Sequence, residues 1–107
     1  MIEIQLWRDQ DARPLRLLVH GHAGQGRYGE DIVCAAASAL TETLRIGLTD
    51  VLHEAPTGAI GPGHADITFY QPMSDQVQAV VETIVRGFQD LRDTAPKAVV
   101  YTEERLH

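Results

Sequence analysis

The chain has 107 residues, the size of one domain, so we expect a single domain over residues 1–107. Its hydrophobic fraction of 44% and charged fraction of 22% exclude a disordered or fibrous protein. Acidic residues outnumber basic ones by 15 to 9, and the arginines are scattered singly among them, which excludes the basic stripe of a direct nucleic-acid binder. No apolar run approaches the roughly 20 residues that span a bilayer, and no signal peptide opens the chain, so we expect a cytoplasmic protein without a membrane segment.

The first part of the chain has the pattern of a hairpin followed by a glycine-rich loop. Ile2, Ile4 and Leu6 alternate with more polar residues, which predicts a strand with one buried face. After a polar turn, the apolar run Leu15–His20 predicts a second strand. Four glycines then fall within Gly21–Gly29, which predicts a loop.

An alanine-rich segment follows this loop and predicts the first helix. We expect it to begin near Glu30 or Asp31 and to end at Gly47, a typical C-terminal glycine. Beyond it, Thr49–Glu54 is interpreted as a short strand and Ala55–Gly63 as a loop or wide turn.

The last part predicts a strand, a long helix and a final strand. Ala65–Tyr70 alternates as a strand, Ser74 is a suitable N-cap, and Ala98–Thr102 is a short closing strand. Between them, apolar residues recur at helical spacing: Val77, Val80, Val81, Ile84, Val85, Phe88 and Leu91. The order β-β-α-β-β-α-β predicts an α+β fold, with two helices packed on a mostly antiparallel sheet.

Cys34 is the one cysteine of the chain, so it forms no internal disulfide and is either an inert apolar residue or a reactive thiol. In the first turn of the predicted helix, the helix dipole would favour a thiolate. His22, at the end of the second strand, is a candidate base for it, and the backbone N–H groups around Cys34 are candidate oxyanion donors.

Two polar residues share a helix face with this cysteine. Asp31 and Ser38 lie three residues before and four residues after Cys34. Asp31 could orient His22, hold a substrate N–H or cap the helix, of which the cap is favoured on residue type alone. Ser38 could touch substrate or be merely tolerated on the helix.

Other interpretations of these residues remain open at this point. The thiol could be buried and inert, and the site could bind a peptide without cutting it. His20, His22 and Cys34, with His64, are legitimate zinc ligands, although their spacing matches no common structural zinc pattern. The glycine spacing of residues 24–29 also matches a dinucleotide fingerprint, but the predicted order of elements contains no parallel β-α-β unit around it.

One family shares the motif that surrounds these residues. The run Gly21-His22-Ala23-Gly24, followed by Tyr28-Gly29-Glu30-Asp31-Ile32-Val33-Cys34-Ala35-Ala36 and Ser38, closely resembles the signature of the ribosomal-processing cysteine proteases, the Prp family. The resemblance in length and in the order of elements extends over essentially the whole chain.

This resemblance implies an endopeptidase of the bacterial cytoplasm that removes a short N-terminal extension from a protein of the large ribosomal subunit. The alternative is a non-catalytic module that binds a peptide or takes part in ribosome assembly. The resemblance implies Cys34 and His22 as the catalytic dyad, without metal or other cofactor. It further implies that the protein forms a homodimer. The remaining motif positions are expected to bind or orient substrate: Asp31, Ser38, Gly21, Gly24 and Gly29.

Overall fold

The computed structural model describes residues 1–21, 28–61 and 63–106, and for residues 28–31 it describes the backbone alone. Its architecture is a five-stranded sheet with two long helices, which confirms the predicted α+β class and the order of elements. The strands are β1 Ile2–Arg8, β2 Pro14–Gly21, β3 Thr57–Gly61, β4 His64–Thr68 and β5 Val99–Arg105, and the helices are α1 Tyr28–Ile46 and α2 Asp75–Thr94.

The strands lie in the spatial order β3-β4-β2-β1-β5. Three of the four neighbouring pairs are antiparallel, and β1 with β5 is the parallel pair, so the sheet is mostly antiparallel as predicted. Helix α1 connects β2 to β3, and α2 connects β4 to β5. Each connection joins two strands that run in the same direction, and the two connections step across the sheet in opposite senses. Right-handed crossovers therefore place both helices on one face.

The expectation that no parallel β-α-β unit surrounds the glycine run was wrong. Strands β2 and β3 both pair antiparallel with β4, so they run in the same direction, joined through α1. The unit is split, because β4 lies between its two strands. This topology could not be predicted from the sequence, because the order of strands in a sheet is not set by local sequence patterns.

The inner face of the sheet and the facing sides of the helices form one buried core. Side chains such as Leu6 and Leu17 from the sheet and Phe88 from α2 are fully buried in it. The predicted N-cap of α2 is confirmed, because the Ser74 hydroxyl accepts a hydrogen bond from the Val77 N–H at 3.2 Å. The predicted apolar stripe of α2 is buried or packed against this core.

The predicted strand Thr49–Glu54 was wrong. Helix α1 ends directly before Gly47, as expected, but the chain then continues as a π-helical turn over Gly47–Val51. Leu48 is buried in the core, and this burial stabilises the turn where a strand was predicted. A Cβ on Gly47 would lie 2.9 Å from a methyl group of Val80, so this glycine allows the turn to approach α2 closely and is not a left-handed cap.

The third strand lies within the segment that was predicted to be a loop, Ala55–Gly63. Thr57–Gly61 pairs antiparallel with β4 although two of its five residues are glycine. Gly58 has a φ of 125° and packs against the Asp66 carbonyl, a close approach that only a glycine allows. Pairing with β4 outweighs the low strand propensity of this segment.

Helix α1 is long and apolar. By length and composition alone, Ile32–Val51 could cross a membrane, with a mean hydropathy of 1.3, contrary to the expectation from the apolar runs. One side of this segment is buried in the core through Ala37, Leu44 and Leu48. Core helices pass the same test of length and hydropathy.

Candidate active site

A cleft of about 500 Å³ opens between α1 and one end of the sheet. Cys34 and Ser38 contribute to its helical wall. Its floor is apolar and is formed by the ends of the three central strands, including Ile2, Val19 and Ala65. The cleft therefore places the one thiol of the chain beside an apolar surface large enough for several side chains.

Cys34 does not lie in the first turn of its helix, as predicted, but in the second. Helix α1 begins at Tyr28, two or three residues before the expected start, so Cys34 is its seventh residue. Only the first four backbone N–H groups of a helix lack intrahelical partners. The amide of Cys34 is therefore not a helix-start oxyanion donor, and the influence of the helix dipole on its thiol is weaker than expected. The half-buried side chain still packs at the edge of the core and lines the cleft.

The helix start also changes the interpretation of Asp31. It is the fourth residue of α1 and so lies inside the helix, which rules out the N-cap role that its residue type favoured. Its position three residues before Cys34 keeps it on the predicted face of the helix. Gly29 is likewise inside the first turn of α1.

The predicted shared face of Cys34 and Ser38 is confirmed, because both line the cleft. The same row continues one turn further to Glu42, which the motif did not include. The four-residue spacing 34, 38, 42 would have identified it. Arg45 donates two hydrogen bonds to the Glu42 carboxylate, at 2.6 and 2.8 Å, and this contact lowers the pKa of Glu42.

Gly21 lies at the end of β2 and also lines the cleft. Its φ is 103°, and a Cβ at this position would collide with the Met1 carbonyl oxygen. Its N–H donates to the Gly63 carbonyl at 3.2 Å, which links β2 to the turn between β3 and β4. The geometry thus requires glycine directly before His22. His22 and Gly24 themselves lie outside the described residues.

His20, a candidate zinc ligand, is on the other face of the sheet. It follows the inward-facing Val19, and its Nε2 lies 2.9 Å from a carboxylate oxygen of Glu3. His20 is opposite His64 in the β2–β4 register, whereas Cys34 is on the helix side. Among the side chains that the structure describes, those of residues 1–21, 32–61 and 63–106, no three from His, Cys, Asp or Glu come together as a metal site.

The rest of the cleft rim was not anticipated from sequence. Ile60 and Gly61 of β3 and the start of β4 at His64 complete it. No sequence pattern predicted these rim residues, because β3 lies in a segment with loop composition. Their contribution depends on the pairing of β3 with β4, which brings this hairpin beside α1.

Comparisons of the sequence and of the fold with known proteins match the chain to one protein family. The sequence model of the family described as cysteine protease Prp matches residues 1–100. A ribosomal processing cysteine protease Prp of Staphylococcus aureus is 29% identical over 96 residues, which cover 87% of this chain and 90% of that protein.

Solved structures show the same fold. A Streptococcus mutans protein superposes with a TM-score of 0.88 at 26% identity, covering 99% of this chain and 96% of that one. The Staphylococcus aureus Prp protease in complex with a substrate peptide gives a TM-score of 0.87 at 23% identity, covering 97% of this chain and all (100%) of that one. A further structure of the latter protein carries a covalently linked product peptide, with a TM-score of 0.80 at 22% identity over 97% of this chain and 100% of that one.

Proposed function

This chain belongs to the cysteine protease Prp family, and on that premise we propose that it removes the N-terminal extension of a large-subunit ribosomal protein, with Cys34 as nucleophile and His22 as general base. The observation that carries the proposal is the position of Cys34 in a cleft whose lining also includes Gly21, the residue directly before His22. Gly21 ends β2 with a positive φ that glycine adopts freely, and it lines the same cleft as the thiol.

The proposed reaction is acyl transfer in two steps. His22 takes the proton of the Cys34 thiol, and the thiolate attacks the scissile carbonyl carbon. The tetrahedral intermediate collapses to a thioester, and protonated His22 gives its proton to the leaving amine. A water molecule, deprotonated by His22, then attacks the thioester carbonyl and releases the new carboxylate and the thiol.

The other motif residues support this reaction by position. Asp31 is on the same helix face as Cys34, which suits a role in orienting His22 or in holding a substrate N–H. Ser38 lines the cleft and offers a hydroxyl to the peptide. Gly24 and Gly29, which have no side chains, are proposed to bind or orient substrate through their backbone groups.

We also propose that the protein acts in the cytoplasm as a homodimer, without direct contact to nucleic acid. The family resemblance supports both the dimer and the compartment. A net charge of −6 suits a basic ribosomal protein as substrate and disfavours nucleic acid as a partner. Sedimentation velocity of the purified protein over a range of concentrations tests the dimer, and a sedimenting monomer at all concentrations would contradict it.

The dyad is tested with a synthetic peptide that carries the extension of the ribosomal-protein precursor encoded in the same genome. Wild type should cleave it once, as followed by mass spectrometry, and Cys34→Ala and His22→Ala should each abolish cleavage. His20→Ala is the matched histidine control, since His20 is on the other face of the sheet, paired with Glu3. Full activity of either dyad variant would refute the assignment.

Alkylation distinguishes a nucleophile from a thiol in a binding module. Cys34 is the only cysteine, so iodoacetamide reports on it alone. At neutral pH we expect Cys34 to react faster than a model thiol in wild type and more slowly in His22→Ala. Equal rates for the protein and the model thiol would favour binding without cleavage.

A further inference from the structure

Both helices pack on one face of the sheet, so in the described part of the chain no element covers the other face. We call it the outer face. Its side chains alternate with the buried ones along every strand. The pairing registers make Glu104, Trp7 and Arg16 neighbours across β5, β1 and β2, and they place Leu18 of β2 beside Asp66 of β4.

A tryptophan and an arginine hold each other in place near the middle of the outer face. The Arg16 guanidinium lies 4.5 Å from the centre of the Trp7 ring and donates two hydrogen bonds to the Asp66 carboxylate, at 2.7 and 2.8 Å. The Arg16 side chain is nevertheless 42% exposed, and Leu18, two residues further along β2, is half-buried. Tryptophan and arginine are frequent anchors of protein interfaces, and side chains fixed in advance lose less entropy on binding.

The charge of the outer face suits a basic partner. Apart from two histidines, the ionisable residues of its strands are three carboxylates and one guanidinium: Glu3, Asp66, Glu104 and Arg16. The hydrogen bonds from Arg16 lower the pKa of Asp66 and keep it ionised. A negative surface attracts a basic protein and orients its approach.

The outer face is continuous with the cleft. It contains a shallow depression, lined by Arg16, Gly58, Ala59, His64, Asp66 and Thr68. His64, at the start of β4, also lines the cleft that contains Cys34, so the two concavities meet there. From His64 the depression follows β4 for about 13 Å to Thr68, which lies opposite Arg16. A protein with one segment in the cleft could therefore also contact the outer face.

We propose that the outer face is a docking surface for the folded, basic body of the substrate protein, while the N-terminal extension of that protein enters the cleft. The proposal rests on the proposed function, because it requires a basic protein as substrate. Trp7, Arg16 and Leu18 would form the centre of the contact, and the carboxylates would attract basic side chains around it. A second contact raises the effective concentration of the extension at the cleft.

The first test compares two substrates, the whole precursor protein and a synthetic peptide that spans its cleavage site. In wild type, kcat/KM for the precursor should exceed that for the peptide by at least about tenfold. Leu18→Arg, which places a positive charge at the centre of the outer face, should lower the value for the precursor by about tenfold and for the peptide by less than about twofold. Retained cleavage of the peptide also shows that this variant is folded.

Two charge reversals distinguish docking from an effect of net charge. Glu104→Lys changes the outer face, whereas Asp90→Lys makes the same change in charge at an exposed position of α2. Only Glu104→Lys should lower kcat/KM for the precursor, by about threefold to tenfold at low salt. Equal losses in both variants would mean that long-range attraction is sufficient, and they would refute docking at the outer face.

The second test measures binding of the mature ribosomal protein, which lacks the extension, to Cys34→Ala. The mature protein carries a fluorescein label, and binding is followed by fluorescence anisotropy. It should bind about tenfold more weakly when Leu18→Arg is added, and it should stay bound when an excess of the extension peptide fills the cleft. Displacement by the peptide, or equal affinity for both variants, would overturn the proposal.

These outcomes separate docking from the proposed function. If wild type cuts the peptide and the precursor with equal efficiency, docking is wrong and the protease assignment stands. If it cuts neither, the protease assignment fails, and docking of a substrate fails with it. If Leu18→Arg converts a dimer to a monomer in sedimentation velocity, the outer face binds a second copy of the chain, and the proposal is refuted.

Discussion

The backbone of Gly21 passes so close to the Met1 carbonyl that a single added methyl group would collide with its oxygen. Because φ at Gly21 is 103°, an L side chain would be strained there as well as crowded. Gly21→Ala should lower the free energy of unfolding by about 1–3 kcal/mol. It should also reduce kcat/KM, because the displaced residue leads directly into His22.

Gly61→Ala is the matched control for this prediction. Gly61 also lines the cleft, but a Cβ there would meet nothing within 4 Å. Thermal unfolding of the two variants should therefore differ clearly, with Gly61→Ala close to wild type. Equal losses in both variants would mean that the contact with Met1 is not what requires glycine at position 21.

The hydroxyl of Ser38 is predicted to contribute to substrate binding. Ser38 is exposed one helical turn after Cys34 and lines the cleft. Ser38→Ala should lower kcat/KM by about threefold to tenfold, the value of one hydrogen bond. The stability should be unchanged or slightly higher, because alanine is the better helix former. Steady-state kinetics on the peptide substrate checks this, with Ala39→Ser, at the next exposed position of α1, as the control that should leave the rates unaltered.

Glu42 is predicted to favour basic substrates. Its carboxylate borders the cleft, and the bond from Arg45 keeps it ionised by lowering its pKa. For peptides with a lysine or arginine within the bound segment, Glu42→Gln should reduce kcat/KM by about twofold to fivefold at low salt. Added salt should shrink the difference. Asp90→Asn makes an equal change of charge at an exposed position of α2 and should leave kcat/KM unchanged. An equal loss of kcat/KM in that variant would show that net charge, and not the position of Glu42 at the cleft, favours basic substrates.

A cluster around Arg8 predicts how stability responds to acid. Arg8 contacts Glu82 at 2.9 Å and Glu103 at 3.2 Å, which ties β1 to α2 and β5. Burial alone would raise the pKa of Glu103, but the hydrogen bonds from Arg8 and Tyr101 lower it below its ordinary 4.5. The stabilisation from Glu103 is therefore complete above about pH 4.5 and is lost as the pH falls through the lower pKa of the folded state.

Urea unfolding between pH 3 and pH 6 measures this effect. Glu103→Gln should be less stable than wild type at pH 6 and should lose less stability on acidification. Glu104→Gln, at the next residue of β5, makes the same change in charge and should retain the wild-type slope. Parallel slopes for wild type and Glu103→Gln would show that the Arg8 contact does not carry the acid sensitivity.

The parts of the fold that sequence predicted are those set by local periodicity. The stripe of α2 and its Ser74 cap were evident, since both depend on residues within a turn or two of each other. Strand β3 was missed because its five residues become a strand only by pairing with β4. The turn after α1 was missed because the burial of Leu48, a tertiary contact, decides it.

The candidate site also has one part that local sequence patterns predict and one part that depends on tertiary contacts. Helical spacing was enough to place Cys34 and Ser38 on one face, but not to find the start of the helix. That start, at Tyr28, includes Gly29, a residue that disfavours helix, so composition alone indicated a later boundary. The β3 side of the cleft could not be predicted, because it depends on which strands are neighbours.

The parallel pairing of β1 with β5 joins residues 2–8 to residues 99–105, and these two segments are separated by almost the full length of the chain. Until β5 is synthesised, β1 is the outer strand of the sheet and part of the core remains uncovered, since Val99 belongs to it. Such long-range contacts slow folding and prolong the exposure of unpaired strands. The cleft floor includes Ile2, which is opposite Val99 of β5, so the floor at the candidate site depends on contact between the two ends of the described chain.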